Sequence, residues 1–394
     1  MKKINVLFTG TNLRQIIRDG IMDPPPGVNY KTIQDLNEMQ ADHKISVAKS
    51  TKMLNFILKI CEIIGMPNIR YIPRKYLKDI DLIHSSGQML LTKKPYVIEI
   101  EHAPCLAFFR EKILYHPIGN RLIRFFLKRK NCRKLICWSR AAKKSVDATF
   151  KDKEISQKTD FVYQYIEEPV KRDYDNSKIR FLLISTKFYV KGAKWVLKAF
   201  DELSKEYPNI HLTVISFTPK EYIEKYKHNK NIDFVPANLT RDELYKKYYF
   251  THDVFVQPTL KDSFGFVNIE AMRSGMSIIT VDIFAIPEMV HEGKNGFLIR
   301  PPVDFFNKDL TIKKGMWPIK LKKGKTMEDW YAGIEDQGMV DELKERMMNY
   351  IKYPSLAEEM GKYSQKLINE QFSYKIRHKK LARIYNEALQ TVKK

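Results

Sequence analysis

Cysteine is scarce. The four present in 394 residues, Cys61, Cys105, Cys132 and Cys137, are too few and too irregularly spaced for a disulfide framework. No paired C-x-x-C spacing marks a zinc site either, so a reducing cytoplasm is the expected setting. The chain also has no run of about 18 apolar residues of the kind a spanning helix needs. Its opening stretch, MKKINVLFTG, passes directly into a strand pattern and not into a long apolar segment with a cleavage site, which argues against secretion. Acidic residues are in deficit: 46 Asp plus Glu stand against 69 Lys plus Arg, a net charge of +23. Such an excess attracts phosphate-rich partners, whether nucleic acid, anionic lipid or nucleotide, although a merely well-solvated surface produces the same arithmetic. A basic nucleic-acid-binding protein is one reading of that charge, but neither paired zinc ligands nor an RNP-like strand is found to support it.

What is present suffices for a globular protein. Hydrophobic residues make up 44% of the chain and aromatics 12%, and the length suggests two domains at the usual rate of about 150 residues each. Short apolar runs alternate with helical patterns, the pattern of βα units on parallel sheets. Strands are expected at Ile4 to Gly10, Ile45 to Ala48, Leu82 to Ser85, Tyr96 to His102, Lys134 to Ser139 and Phe161 to Tyr165. After a charged linker, Ile166 to Lys178, a second series is expected at Ile179 to Ser185, His211 to Ser216, Ile232 to Val235, Val254 to Gln257, Ile278 to Asp282 and Gly296 to Ile299. Residues 301–336, Lys-rich and weakly periodic, read as a surface insertion, and helices close the chain at Val340 to Ile351, Ser355 to Gln371 and Tyr374 to Val392. Ligands of open α/β sheets sit beyond the carboxyl ends of the strands, so two such domains facing each other place the candidate site in a cleft.

The most informative stretch is VFVQPTLKDSFGFVNIEAMRSGMSIITVD, Val254 to Asp282. A buried strand gives way to a polar turn with Asp262 and Ser263. Phe264 and Gly265 then lead into a helix bearing Glu270. Amides at a helix start can bind an anion, and a glycine there permits close approach. Asp262 and Glu270, eight positions apart, are placed to accept hydrogen bonds from hydroxyls at separate points of one elongated ligand such as a sugar derivative. In FLLISTKFYVKGAKWVLKAF, Phe181 to Phe200, a strand ends near Ser185 and the following turn offers Lys187, Lys191 and Gly192. Two ammonium groups at a strand end suit a diphosphate.

Here the sequence resembles the family 4 retaining glycosyltransferases of GT-B fold (glycosyltransferase group 1). The resemblance is carried by Asp262, Glu270, Ala271, Met272 and Gly275, by IPEMVHEGKNGFLI from Ile286 to Ile299, and by Lys191-Gly192. It implies an α/β, GT-B architecture of two doubly wound Rossmann-like domains facing across a cleft. Residues 1–170, with 374–394 crossing back, would form the acceptor domain. Residues 171–373, including the 301–336 insertion, would form the nucleotide-sugar donor domain. It further implies that Glu270 holds the donor ribose, that Asp262 and the amides of Phe264 and Gly265 contact the sugar, and that Lys187 and Lys191 lie on the diphosphate. Three departures stand out: Asp262 where the family commonly has Glu, Lys187 where it has Arg, and Phe284-Ala285 where glycines often precede the Pro-Glu pair. A lysine keeps the charge of arginine but loses its bidentate fork.

The first half is less specific. Gly10 and Thr11 follow the first strand where such a domain turns toward its ligand, yet no full G-x-G-x-x-G is present. His102 ends the Tyr96 strand; a lone histidine there is either structural or, as the resemblance implies, close to donor sugar and acceptor. Ser139 reads as a helix cap. The stretch Ile118 to Lys130 reads as a helix with a broad apolar face and basic margins, which suits either an anionic bilayer or simple packing on the sheet. The expectation is a cytoplasmic glycosyltransferase, with peripheral attachment at the inner membrane face left open. It would move a sugar from a UDP- or GDP-sugar to a glycan or lipid-linked hydroxyl, with no cofactor, no metal and no nucleic acid. A GT-B glucan synthase or phosphorylase is the enzymatic alternative.

Overall fold

The computed structural model describes residues 3–10, 20–33, 52–175, 177–316, 319, 321 and 324–390. The expected strand at Ile45 to Ala48, and Thr11, lie outside these. The chain divides into two compact units. One comprises residues 1–165, 305–319 and 374–394, and the other residues 166–304 and 320–373.

The first unit is built on a six-stranded parallel sheet in the order β2-β1-β4-β6-β7-β8. Its strands are β1 (Ile4–Thr9), β2 (Val28–Thr32), β4 (Leu82–Ser86), β6 (Tyr96–Ile100), β7 (Cys132–Cys137) and β8 (Thr159–Phe161). β3 (Ile69–Tyr71) and β5 (Met89–Leu91) form a separate parallel pair. The sequence pattern misses β2, β3 and β5: VNYKT is largely polar and sits at a sheet edge, and the other two have three residues each. It also places the last strand too late. Val162 still donates its amide to the Cys137 carbonyl at 2.8 Å, but Tyr163 and Tyr165 are buried beyond the ladder, so their part of the apolar run reports burial and not pairing. The 374–390 helix buries Leu381, Ile384, Tyr385 and Ala388 against Val6, Leu82, Val97 and Ile136 of the sheet.

A buried polar chain fixes that helix in register. His84 Nδ1 lies 2.6 Å from the Tyr385 hydroxyl, which lies 2.7 Å from that of Tyr30. The other ring nitrogen of His84 is 2.8 Å from Glu99, which also accepts from Arg377 at 2.7 Å and from Gln164 at 2.6 Å. Burial by itself would raise the Glu99 carboxyl, but the Arg377 charge and the His84 hydrogen bond hold it down at about 2.

The second unit repeats the design with the order β11-β10-β9-β12-β13-β14, again all parallel. Its strands are β9 (Ile179–Ser185), β10 (Ile210–Ser216), β11 (Ile232–Val235), β12 (Val254–Gln257), β13 (Ser277–Val281) and β14 (Gly296–Ile299). β12 and β13 are buried throughout, as central strands covered on both faces must be.

The 301–336 stretch is not one insertion. Residues 305–319 group with the first unit, where Phe305 and Ile312 are buried and the Gly315 amide donates to the Glu111 carboxylate at 2.8 Å. The Met327–Ala332 helix groups with the second unit. It opens on a reciprocal Thr326/Asp329 cap, and the buried Lys194 ammonium donates to the Ala332 carbonyl at 2.8 Å.

Candidate functional site

In the second sheet the chain runs from β9 outward through β10 to β11, then returns to add β12 on the other side of β9. β9 and β12 are therefore the neighbours at which the strand order reverses, the point at which open α/β sheets bind ligands beyond the carboxyl ends of the strands. Both motifs singled out in the sequence, 186–192 and 258–265, are the loops leaving these two strands.

Their backbones touch. The Leu260 amide donates to the Val190 carbonyl at 2.8 Å. Gly192, at φ 72°, lies so close to Pro258 that a Cβ would stand 2.3 Å from its carbonyl oxygen. Only glycine meets both conditions. This close approach places the Lys191 ammonium 2.6 Å from Asp262 Oδ2, both groups being partly buried. The other Asp262 oxygen accepts from the amides of Ser263 at 2.8 Å and Phe264 at 3.2 Å, an Asx turn that fixes the carboxylate. The Phe264 amide, expected on the sugar, thus already serves Asp262. Gly265, at φ 85°, caps the Phe266–Arg273 helix, and Ile286 packs against it. Lys187 is exposed, its amide tied to Ser185 Oγ at 2.8 Å, so its side chain projects from the same loop toward solvent.

Glu270 is half-buried on the 266–273 helix and accepts from the Tyr249 hydroxyl at 3.1 Å. Burial raises its carboxyl above the ordinary glutamate range, while Arg241 and Arg273 pull against that rise. Burial, with the Glu270 charge, pushes the Tyr249 phenol well up, so it remains a donor. A π-helical turn over Tyr245–Tyr249 brings the Tyr249 hydroxyl to this carboxylate, with the Tyr245 ring 5.1 Å from that of Tyr249. The guanidinium of Arg273 lies 4.9 Å from the Tyr245 ring centre. Sequence reasoning missed this surround because Tyr249 and Arg241 sit more than 20 positions from Glu270 with no spacing rule linking them.

In the first unit, Gly10 follows β1 at the corresponding reversal, between β1 and β4. His102 follows β6 and is fully buried, with Nε2 3.5 Å from Glu101 and its ring edge-to-face with Phe109 at 5.4 Å. Phe108 and Phe109 adopt φ of 52° and 59°, two successive left-handed non-glycine residues that nothing in the sequence announces. Ser139 caps its helix, accepting from the Ala142 amide at 2.9 Å. Among the described residues no group of three or more His, Cys, Asp or Glu is arranged to hold a metal ion.

Comparison with known proteins adds to this geometry. Residues 166–311 match the family Glycosyl transferases group 1. The sulfoquinovosyl transferase SQD2 of Arabidopsis thaliana is 32% identical over 114 residues, 28% of this chain and 22% of that protein, so the match spans about a fifth of the relative's length. Among solved structures, a glycosyltransferase from Rickettsia africae aligns over 99% of both chains with a TM-score of 0.62 at 13% identity. HepE of Anabaena, solved in complex with UDP, aligns over 98% of this chain and 99% of its own with a TM-score of 0.60 at 12% identity.

Proposed function

We propose that this chain, whose residues 166–311 are of the group 1 glycosyltransferase family and whose fold is GT-B, moves a sugar from a UDP- or GDP-linked donor to an acceptor hydroxyl with retention of configuration. The observation that carries the reading is the Lys191–Asp262 pair at the point where the second sheet reverses, backed by Glu270 eight residues on. The UDP bound to HepE supports a nucleotide donor.

In this reading Glu270 accepts the ribose hydroxyls, and the Tyr249 hydroxyl holds its carboxylate in place. The donor diphosphate competes with Asp262 for the Lys191 ammonium, and Lys187 adds a second charge from the same loop. As the bond from anomeric carbon to phosphate oxygen lengthens, negative charge grows on the diphosphate. Lys187, Lys191 and the start of the 266–273 helix stabilise it there. The sugar becomes oxocarbenium-like beside Asp262 and Ser263. A leaving phosphate oxygen takes the acceptor proton on the same face, so configuration is kept. With this charge supplied by side chains, turnover needs no divalent metal. In the first unit, Gly10 serves the donor and His102 positions the sugar, and the basic 117–128 helix favours a lipid or lipid-linked glycan acceptor at an anionic surface.

A thermal-shift screen with UDP-, GDP- and ADP-sugars tests the reading. One nucleotide class should raise the apparent melting temperature, the stabilisation reaching about 2.7 kcal/mol at a hundredfold excess over Kd. Transfer should then persist in excess chelator. A screen in which no nucleotide sugar shifts melting contradicts the donor assignment.

A further inference from the structure

In the first unit the Lys52–Ile64 helix presents an apolar face outward. Met53, Phe56, Ile57, Ile60, Ile63 and Ile64 follow the i, i+3, i+4, i+7 spacing of one helical face, the arrangement that normally lies against a core. Here that face is in solvent, with exposures from 42% at Ile60 to 76% at Ile63. The half-buried side carries Leu58, Cys61 and Glu62 instead. Scattered exposed apolar side chains are ordinary, but a contiguous stripe of six is the mark of an interaction surface.

The surroundings indicate what it meets. Glu62 is neutralised by Arg110 at 3.0 Å and Lys112 at 3.3 Å. Gly65, just past the helix, lies against His116 and the Gly119 amide, which brings the stripe to the start of the Pro117–Lys128 helix. That second helix resolves the two readings of its sequence by dividing. Ile123, Phe126 and Leu127 are buried, whereas Ile118, Arg121, Phe125 and Lys128 face outward. Its nearby acid, Asp152, is paired with Arg124 and Lys128. The stripe is thus flanked by exposed Lys59 and, on the adjoining helix, Arg121, with the carboxylates of Glu62 and Asp152 already paired.

We propose that the 52–64 helix is an interfacial anchor that inserts its apolar face among the acyl chains of an anionic bilayer, while the 117–128 helix supplies charge at the headgroups. Thirteen residues at about 1.5 Å each are too short to span a membrane, so the helix lies in its plane. A second copy on the same face would bring Lys59 and Arg121 against their like, whereas anionic headgroups complement them. The inference extends the membrane contact proposed above for the 117–128 helix and is independent of the donor chemistry.

Flotation with phosphatidylcholine vesicles, with and without phosphatidylglycerol, tests it on the full chain. Wild type should float with the anionic vesicles and be held in part at about 0.5 M salt, where screened charge alone no longer holds it. The triple variant Phe56→Ser, Ile60→Ser, Ile63→Ser should lose about tenfold or more in vesicle partition while keeping the circular dichroism spectrum and cooperative melting of wild type, which show that it is folded. Indole fluorescence of Ile60→Trp, over the native background, should be quenched by brominated lipid. If wild type floats but salt releases it fully and the triple variant behaves identically, the anchor is refuted and the charged contact of the 117–128 helix survives. If wild type floats with neither vesicle, both fall. A triple variant that only converts a dimer to a monomer assigns the stripe to a second copy and overturns the proposal.

Discussion

Glu270 combines two demands that pull its chemistry apart. It must be a carboxylate to accept ribose hydroxyls with both oxygens, yet burial raises its carboxyl above the ordinary glutamate range against the pull of Arg241 and Arg273. A raised value means that protonation, which removes the charge and turns one accepting oxygen into a donor, begins at a higher pH than for an exposed glutamate. Donor affinity measured by calorimetry should therefore weaken on mild acidification, and Glu270→Gln should bind more weakly throughout with that pH dependence removed. An unchanged pH profile in Glu270→Gln would place the titrating group elsewhere. The eight-residue interval to Asp262 is visible in the sequence. What it does not contain is the company each acid keeps: Lys191 lies 71 positions from Asp262, and its ion pair depends on the contact between two loops.

At the scale of elements, the contact rests on glycine. Gly192→Ala would force a Cβ to 2.3 Å from the Pro258 carbonyl at a φ of 72°. The loops must separate or the backbone strain, at a cost of about 1–3 kcal/mol. Donor affinity should fall although Lys191 and Asp262 are intact, which isothermal titration beside a melting curve would reveal. Retained affinity would mean that the loops need not touch. The βα alternation and the strands at Ile179–Ser185, Ile232–Val235 and Val254–Gln257 are legible because buried parallel strands need short apolar runs bounded by turns. Short or polar strands such as Val28–Thr32 give no such signal. The outward stripe of the 52–64 helix escapes sequence reading for a different reason, since periodicity shows that a face is apolar but not which way it points. Phe284 makes the same point at the departure from glycine: it takes φ 49°, the conformation a glycine would adopt freely.

At the scale of the molecule, the first unit is closed by a helix distant in sequence and held by the buried Glu99, Arg377 and His84 group. Glu99 is held down at about 2 when folded, below the ordinary glutamate value, so its contribution is complete above that ordinary value. It is lost as pH falls through the folded value. Apparent melting temperature should decline between about pH 4.5 and pH 2. Glu99→Gln should flatten that decline and destabilise at neutral pH by about 3–5 kcal/mol, because Arg377 is left buried without its charge partner. Equal acid profiles for wild type and variant would show that the group does not govern acid stability. The central claim, that the loops after β9 and β12 bind a nucleotide sugar, is tested most directly by calorimetric titration of the donor identified in the thermal screen into wild type, Lys191→Ala and Glu270→Ala. The account predicts saturable binding to wild type and a loss of about 1.5–3 kcal/mol in Lys191→Ala, the scale of a charge-assisted hydrogen bond, with a clear weakening in Glu270→Ala. Unchanged affinity in both variants would contradict it.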